Sequence, residues 1–145
     1  MAPSKPKAKP EPKRKVEWVW AKALTPEAKA DIAASCERFI AEVLKPKFLP
    51  EIKPTQWNYP VDISGKWRGS KYSFIMRWRS GFPDNAGEEF EDGFVRLDHA
   101  PGGAEYRFNV MWHRHTGQWL PVYPSLTLEE ALQAIETYDL LRPPV

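Results

Sequence analysis

The chain has 145 residues, 42% hydrophobic and 13% aromatic, which suits one domain plus a tail and a core that needs no disulfide or structural metal. Its single cysteine, Cys36, excludes an intrachain disulfide and fits a reducing compartment. The net charge of +2 is uneven: Lys5, Lys7, Lys9, Lys13, Arg14 and Lys15 against Glu11 give residues 1–15 a net of +5, which leaves −3 for the rest.

"MAPSKPKAKPEPKRK" alternates proline with lysine and offers almost nothing to bury. Such a segment cannot recover its ordering entropy, so a disordered basic arm is expected over residues 1–15. Residues 16–145 are expected to form a single domain, with Trp18 and Trp20 anchoring the arm to it. The apolar stretch "VEWVWAKAL" is short and broken by Glu17 and Lys22. No run approaches the roughly 20 residues of a membrane span. The expectation is a cytoplasmic protein with no secretory signal and no membrane partner.

"TPEAKADIAASCERFIAEVL" predicts the first helix, with Thr25 as N-cap and Pro26 at the first helical position. Ile32, Cys36, Phe39, Ile40 and Val43 form its apolar stripe, and Pro46 and Pro50 are expected to stop it. Cys36, on that stripe, reads as core filler.

"WNYPVDISGKWRGSKYSFIMRWR" predicts a β-hairpin around Gly69-Ser70, a two-residue loop with glycine first as a type II′ turn requires. In that register Trp67 faces Tyr72, Gly65 faces Phe74, Ile63 faces Met76 and Val61 faces Trp78, all on one side. The other side pairs Arg68 with Lys71, Lys66 with Ser73 and Asp62 with Arg77. A slip of one residue would scramble both sets.

"SGFPDNAGEEFEDG" reads as an acidic loop, its carboxylates simply solvated. "FVRLDH" is a third strand, "EYRFNVMWHRH" a fourth after the turn "APGGA", and "QWLPVY" a fifth after "TG". Pro121 marks the fifth as an edge, since proline cannot donate to a ladder. "SLTLEEALQAIETYDLL" predicts the last helix, with Thr127 and Glu130 as a capping box and Leu128, Ala131, Leu132 and Ile135 buried. The fold class is therefore α+β: an antiparallel meander of about five strands with an N-terminal and a C-terminal helix on one face.

The stretch "YRFNVMWHRHTGQWLPVYPSLTLEEALQAI", with the opening helix and the Trp/Arg-rich hairpin strand, resembles a family of small bacterial proteins catalogued only as a domain of unknown function. The resemblance spans residues 25–141. It implies a bacterial source and assigns no activity.

With Thr116-Gly117 as the turn, Tyr106, Phe108, Val110, Trp112, Arg114, Trp119, Pro121 and Tyr123 would share the core face, and Arg114 would stack on Trp119. His113 and His115 would then project together from the open face. A metal could use that pair with His99 or Asp98 as a third ligand, but no spaced Cys/His set supports it, and neither a metal nor a cofactor is expected. The chain holds no G-x-S-x-G, and "SGKWRGS" lacks the helix that a phosphate loop needs.

Nucleic acid or an acidic protein partner is the stronger expectation. Lys66, Arg68, Lys71, Arg77 and Arg79 fall in one hairpin with no acid among residues 66–79, and the basic arm adds to them. The aromatics of the hairpin point away from these cations, so the stripe suits phosphates rather than stacked bases. The helix–sheet–helix order resembles double-stranded RNA-binding domains, but those have three strands and a lysine-rich start to the last helix, where this chain has Glu129 and Glu130. The reading is a non-enzymatic binding or adaptor domain contacting a polyanion. The alternative is a small-ligand, metal-binding or hydrolytic protein using Arg107, His113 and His115, with Arg77 and Arg79, on the open sheet face.

Overall fold

The structure, a computed structural model, describes residues 24–101 and 105–145. The basic arm over residues 1–15, the anchors Trp18 and Trp20, and most of the turn "APGGA" lie outside the described residues.

The element order is α1 (Pro26–Phe39), a π turn (Ile40–Leu44), α2 (Lys45–Phe48), β1 (Asn58–Arg68), β2 (Lys71–Ser80), a 3-10 turn (Pro83–Asn85), β3 (Glu89–Ala100), β4 (Arg107–His113), β5 (Trp119–Leu126) and α3 (Leu128–Thr137). The strands form one antiparallel meander in the order β1-β2-β3-β4-β5, so β5, which carries Pro121, is an edge strand. The fold is α+β.

Both long helices start on the caps their sequences encode. Thr25 accepts from the Ala28 N–H at 3.0 Å with Pro26 behind it, and Thr127 and Glu130 form a reciprocal capping box. Helix α1 does not stop before Pro46. A proline inside an α-helix lacks an N–H and crowds the carbonyl four residues back. Here the helix widens into a π turn just before it, with the Lys45 N–H donating to Ile40 O, and continues through Pro46 to Phe48. The extra residue leaves Leu44 fully buried and Val43 half-buried.

The helices lie on one face of the sheet. Ile32, Cys36, Ile40 and Leu44 of α1 and its π turn, with Ala131 and Ile135 of α3, pack on Ile63, Tyr72, Phe74, Met76, Val95, Leu97, Phe108 and Val110. Each large apolar side chain taken fully out of water contributes about 1.5–3 kcal/mol, so this layer is the main source of stability. Trp67 fixes α1 to the hairpin: its Nε1–H donates to Lys29 O at 3.0 Å, and its ring meets Tyr72 edge-on.

The hairpin register follows the alternation of the sequence: Trp67 pairs with Tyr72, Gly65 with Phe74, Ile63 with Met76, and Arg68 with Lys71. Gly69 has φ +61°, as the first position of the turn demands. The pairing breaks at one point. A bulge between Pro60 and Asp62 leaves Val61 as the extra residue, and Trp78 pairs with Pro60 rather than Val61.

Two further corrections concern the open face. The acidic segment expected as loop is strand from Glu89 onward, paired with β2 so that Glu91 lies opposite Arg77 and Glu89 opposite Arg79. The β4–β5 turn also holds three residues, not two. Gly117 N–H donates to Arg114 O, Gly117 takes φ +90°, and Arg114 N–H donates to Gln118 O. This is a type I turn closed by a glycine bulge. The added residue flips β5: Trp119 pairs with His113 and leaves the core face, while Val122 and Leu126 pack toward the core. Arg114 therefore does not stack on Trp119.

Candidate functional site

The open sheet face carries a groove of about 650 Å³ at the end nearest the β1–β2 turn. Its cationic wall comes from the hairpin. Arg68 and Lys71 are cross-strand partners flanking Gly69-Ser70, and Lys66 and Ser73 form the next pair. From β3 come Arg96, Glu91 and Asp92, from the end of β4 His113 and from the start of β5 Trp119.

The far wall is a connected set of contacts. Arg96 donates to Asp98 through two bonds, Nε to Oδ1 at 2.7 Å and Nη2 to Oδ2 at 3.0 Å. Its guanidinium carbon lies 4.7 Å from the centroid of the Trp119 ring. The His113 imidazole stacks on the same indole, centroids 4.5 Å apart and planes 18° from parallel. His113 Nδ1 is 2.7 Å from Gly93 O and 3.4 Å from Asp92 Oδ1. A carbonyl oxygen can only accept, so Nδ1 carries the proton of the neutral ring and Nε2 carries the lone pair. Gly93 allows the indole to settle here: a Cβ at that position would lie 3.3 Å from Cζ2 and Cη2 of Trp119.

The hairpin cations fall into two groups. Arg79 Nη2 is 2.7 Å from Glu89 Oε2 and Arg77 Nε is 3.8 Å from Glu91 Oε2, so both face cross-strand carboxylates. The hydrogen bond that Arg79 donates to Glu89, with one to Tyr59 behind it, raises the pKa of Arg79 further. Lys66 lies 3.7 Å from Glu91. Arg68 and Lys71 have no ion pair among the described residues and are exposed. Of the hairpin's cations, those outside any ion pair among the described residues thus sit at its tip.

Of the alternative set, only His113 reaches the groove. His115 lies exposed in the turn. Arg107, six residues from His113 on β4 and so about 20 Å away, donates to Ser125 O at 3.1 Å and to Glu105. It ties β4 to the end of β5. His99 sits on the helix-covered face against Phe108 and Tyr106, away from His113. Among the described residues no three His, Cys, Asp or Glu side chains are gathered to hold a metal. Cys36 is fully buried, and burial pushes its thiol up to about 12. Lys5, Lys7, Lys9, Lys13, Arg14 and Lys15 lie outside the described residues.

Arg96, Trp119 and Asp92 are the groove residues that sequence reasoning missed. The signal for Trp119 was Gly117: as the third residue of the turn it sets His113 opposite Trp119. For Asp92 and its neighbours the signal was the matching of Glu89 and Glu91 to Arg79 and Arg77 across β2 and β3.

The model of a family described as a domain of unknown function, DUF3024, matches residues 24–140. The chain belongs to this family. DUF3024 covers α1, the whole meander and α3, so the groove lies within the matched region. No curated protein and no solved structure matches the chain. Among the described residues, no helix is long and apolar enough to cross a membrane.

Proposed function

We propose that this DUF3024 chain is a non-enzymatic binding domain that takes a polyanion, nucleic acid in the first place, on its open sheet face. The observation that carries the reading is the separation of the hairpin cations. Arg68 and Lys71 stand at the groove in no ion pair among the described residues; Lys71 lies opposite Asp98, but that carboxylate is held by Arg96 at 2.7 Å, whereas Arg77 and Arg79 are paired with Glu91 and Glu89. A cation already paired with a carboxylate gains less from a phosphate than one held only by water. The binding surface is therefore the turn end of the hairpin, at Arg68 and Lys71. The composition of residues 1–15 favours a second, sequence-independent contact through Lys5, Lys7, Lys9, Lys13, Arg14 and Lys15.

The supporting setting is a bacterial cytoplasm. A buried, unreactive thiol and a family resemblance among small bacterial proteins are what favour it. Affinity of the full chain for DNA and RNA, duplex and single-stranded, across a salt series tests the proposal. Log K should fall linearly with log salt, with little dependence on sequence. Absence of salt-dependent binding to any of these at physiological ionic strength sinks the nucleic-acid form and leaves an acidic protein as the polyanion.

One observation favours the small-ligand reading as a second possibility. The wall made by Arg96, Trp119 and His113 is ordered by a bidentate ion pair, a ring stack and a hydrogen bond, more organisation than a smooth electrostatic track needs.

A further inference from the structure

The groove is not uniformly cationic. Arg68 and Lys71 stand at one end. At the other, Asp92 brings a carboxylate and His113 brings a lone pair on Nε2. Ile75, four residues along β2 from Lys71 and about 13 Å away, lies opposite Gly93 between the two ends. Beyond Ile75 the face is closed to further anions, because the next open-face pairs are Arg77 with Glu91 and Arg79 with Glu89.

A long phosphate backbone laid along β2 would meet those carboxylates. A short ligand with one anionic head would not. The volume of about 650 Å³ is that of a small-molecule cleft. The head belongs at Arg68 and Lys71, cross-strand partners that bring a guanidinium fork and an ammonium to the same end of the groove. The tail meets two hydrogen-bond acceptors beside an indole that His113 and Arg96 already hold in place, so it should present N–H donors side by side. A second anionic group there would be repelled by Asp92.

We propose that the groove binds a nucleoside 5′-phosphate, its phosphate on Arg68 and Lys71 and its base at Asp92, His113 and Trp119. The inference rests on the polyanion reading for its cationic end and goes beyond it in naming a single nucleotide as the unit bound. Guanine is the preferred base: it presents N1–H and the N2 amino group side by side to the two acceptors, whereas uracil offers a single N–H. The nucleotide can be free or the phosphorylated end of a strand, since both present the same chemistry.

Calorimetric titration of the full chain tests this, with GMP, UMP, guanosine, inorganic phosphate and a 5′-phosphorylated and a 5′-hydroxyl oligonucleotide as probes. GMP should bind at least tenfold tighter than guanosine, inorganic phosphate and UMP. The double change Arg68→Ala and Lys71→Ala should weaken GMP tenfold or more. Asp92→Asn, conservative and exposed, should reduce the GMP-over-UMP ratio while leaving phosphate binding and the melting temperature unchanged. A 5′-phosphorylated oligonucleotide binding tighter than both GMP and its 5′-hydroxyl counterpart identifies a strand end as the source, and the reverse order against GMP identifies the free nucleotide. If GMP binds no tighter than inorganic phosphate, the nucleotide assignment is overturned, and if it binds no tighter than UMP, the assignment of guanine to Asp92 and His113 is overturned. Salt-dependent binding of nucleic acid in that same protein would leave the nucleic-acid reading standing, and its absence would remove that form along with the nucleotide.

Discussion

His113 and Trp119 stack face to face, centroids 4.5 Å apart, because a three-residue turn sets them opposite each other on adjacent strands. The stack rests on Gly93, whose carbonyl receives the His113 Nδ1–H and whose missing side chain leaves room for the indole. Gly93→Ala should therefore push Trp119 outward by a few tenths of an ångström and loosen the histidine. We expect a loss of about 1–3 kcal/mol, the usual cost of overpacking, with shifts in the His113 ring resonances by NMR. An unchanged His113 spectrum would show that the indole does not depend on that space.

The core holds one unsatisfied polar atom that can be removed cleanly. The Tyr72 hydroxyl is buried and finds no hydrogen-bond partner among the described residues. Burial raises its pKa, with Cys36 and Glu37 adding to the shift. Tyr72→Phe should stabilise the protein by about 1 kcal/mol, since a buried hydroxyl without a partner costs its full desolvation. Gly65→Ala, whose Cβ would overlap the same tyrosine ring, should destabilise by about 2 kcal/mol or more. Urea denaturation of both variants checks the pair, and destabilisation by Tyr72→Phe would mean that the hydroxyl is satisfied in solution.

How much of this was legible in the sequence depends on whether one side of each strand was unambiguous. In β1 and β2 the two faces separate cleanly, with Trp67, Ile63, Tyr72, Phe74 and Met76 against Lys66, Arg68, Lys71 and Arg77, so only one register satisfies both. Strand β5 offers no such contrast. Both of its phases are apolar, Trp119, Pro121 and Tyr123 against Leu120 and Val122, so nothing local could reveal a turn one residue longer. The start of β3 was hidden for a different reason. Glu89 and Glu91 read as a solvated loop because their stabilising partners, Arg79 and Arg77, lie on another strand. The π turn before Pro46 trades one hydrogen-bond pattern for another and leaves no mark in the apolar periodicity.

Cys36 should be inert in the native state. It is fully buried, and its thiol is pushed up to about 12, first by burial and then by Glu37. At pH 8 almost no thiolate exists to react. A disulfide reagent should label the denatured chain fully and the native chain only at the rate of unfolding. Rapid labelling under native conditions would contradict the burial.

The start of α3 should weaken in acid. The Glu130 carboxylate accepts from the Thr127 N–H at 2.9 Å, which lowers its pKa below the ordinary 4.5. A group with a lowered folded pKa contributes stability above its ordinary range and loses it as pH falls through the lowered value. Glu130→Gln should accordingly flatten the acid limb of the stability profile. Thr127→Ala should cost about 1 kcal/mol at neutral pH, the usual value of an N-cap. An acid limb identical in Glu130→Gln and the native chain would remove the carboxylate from the cap.

The central claim is that the turn end of the hairpin, and not its paired arginines, is the binding surface. The most direct test compares two double variants, Arg68→Ala with Lys71→Ala and Arg77→Ala with Arg79→Ala, in the salt dependence of binding to single-stranded RNA. The first pair should reduce the slope of log K against log salt by about 1.4 units, two lost contacts at roughly 0.7 each. The second pair should leave the slope nearly unchanged, because removing those arginines frees Glu91 and Glu89 rather than a phosphate contact. A larger loss of slope from Arg77→Ala with Arg79→Ala than from Arg68→Ala with Lys71→Ala would contradict the account.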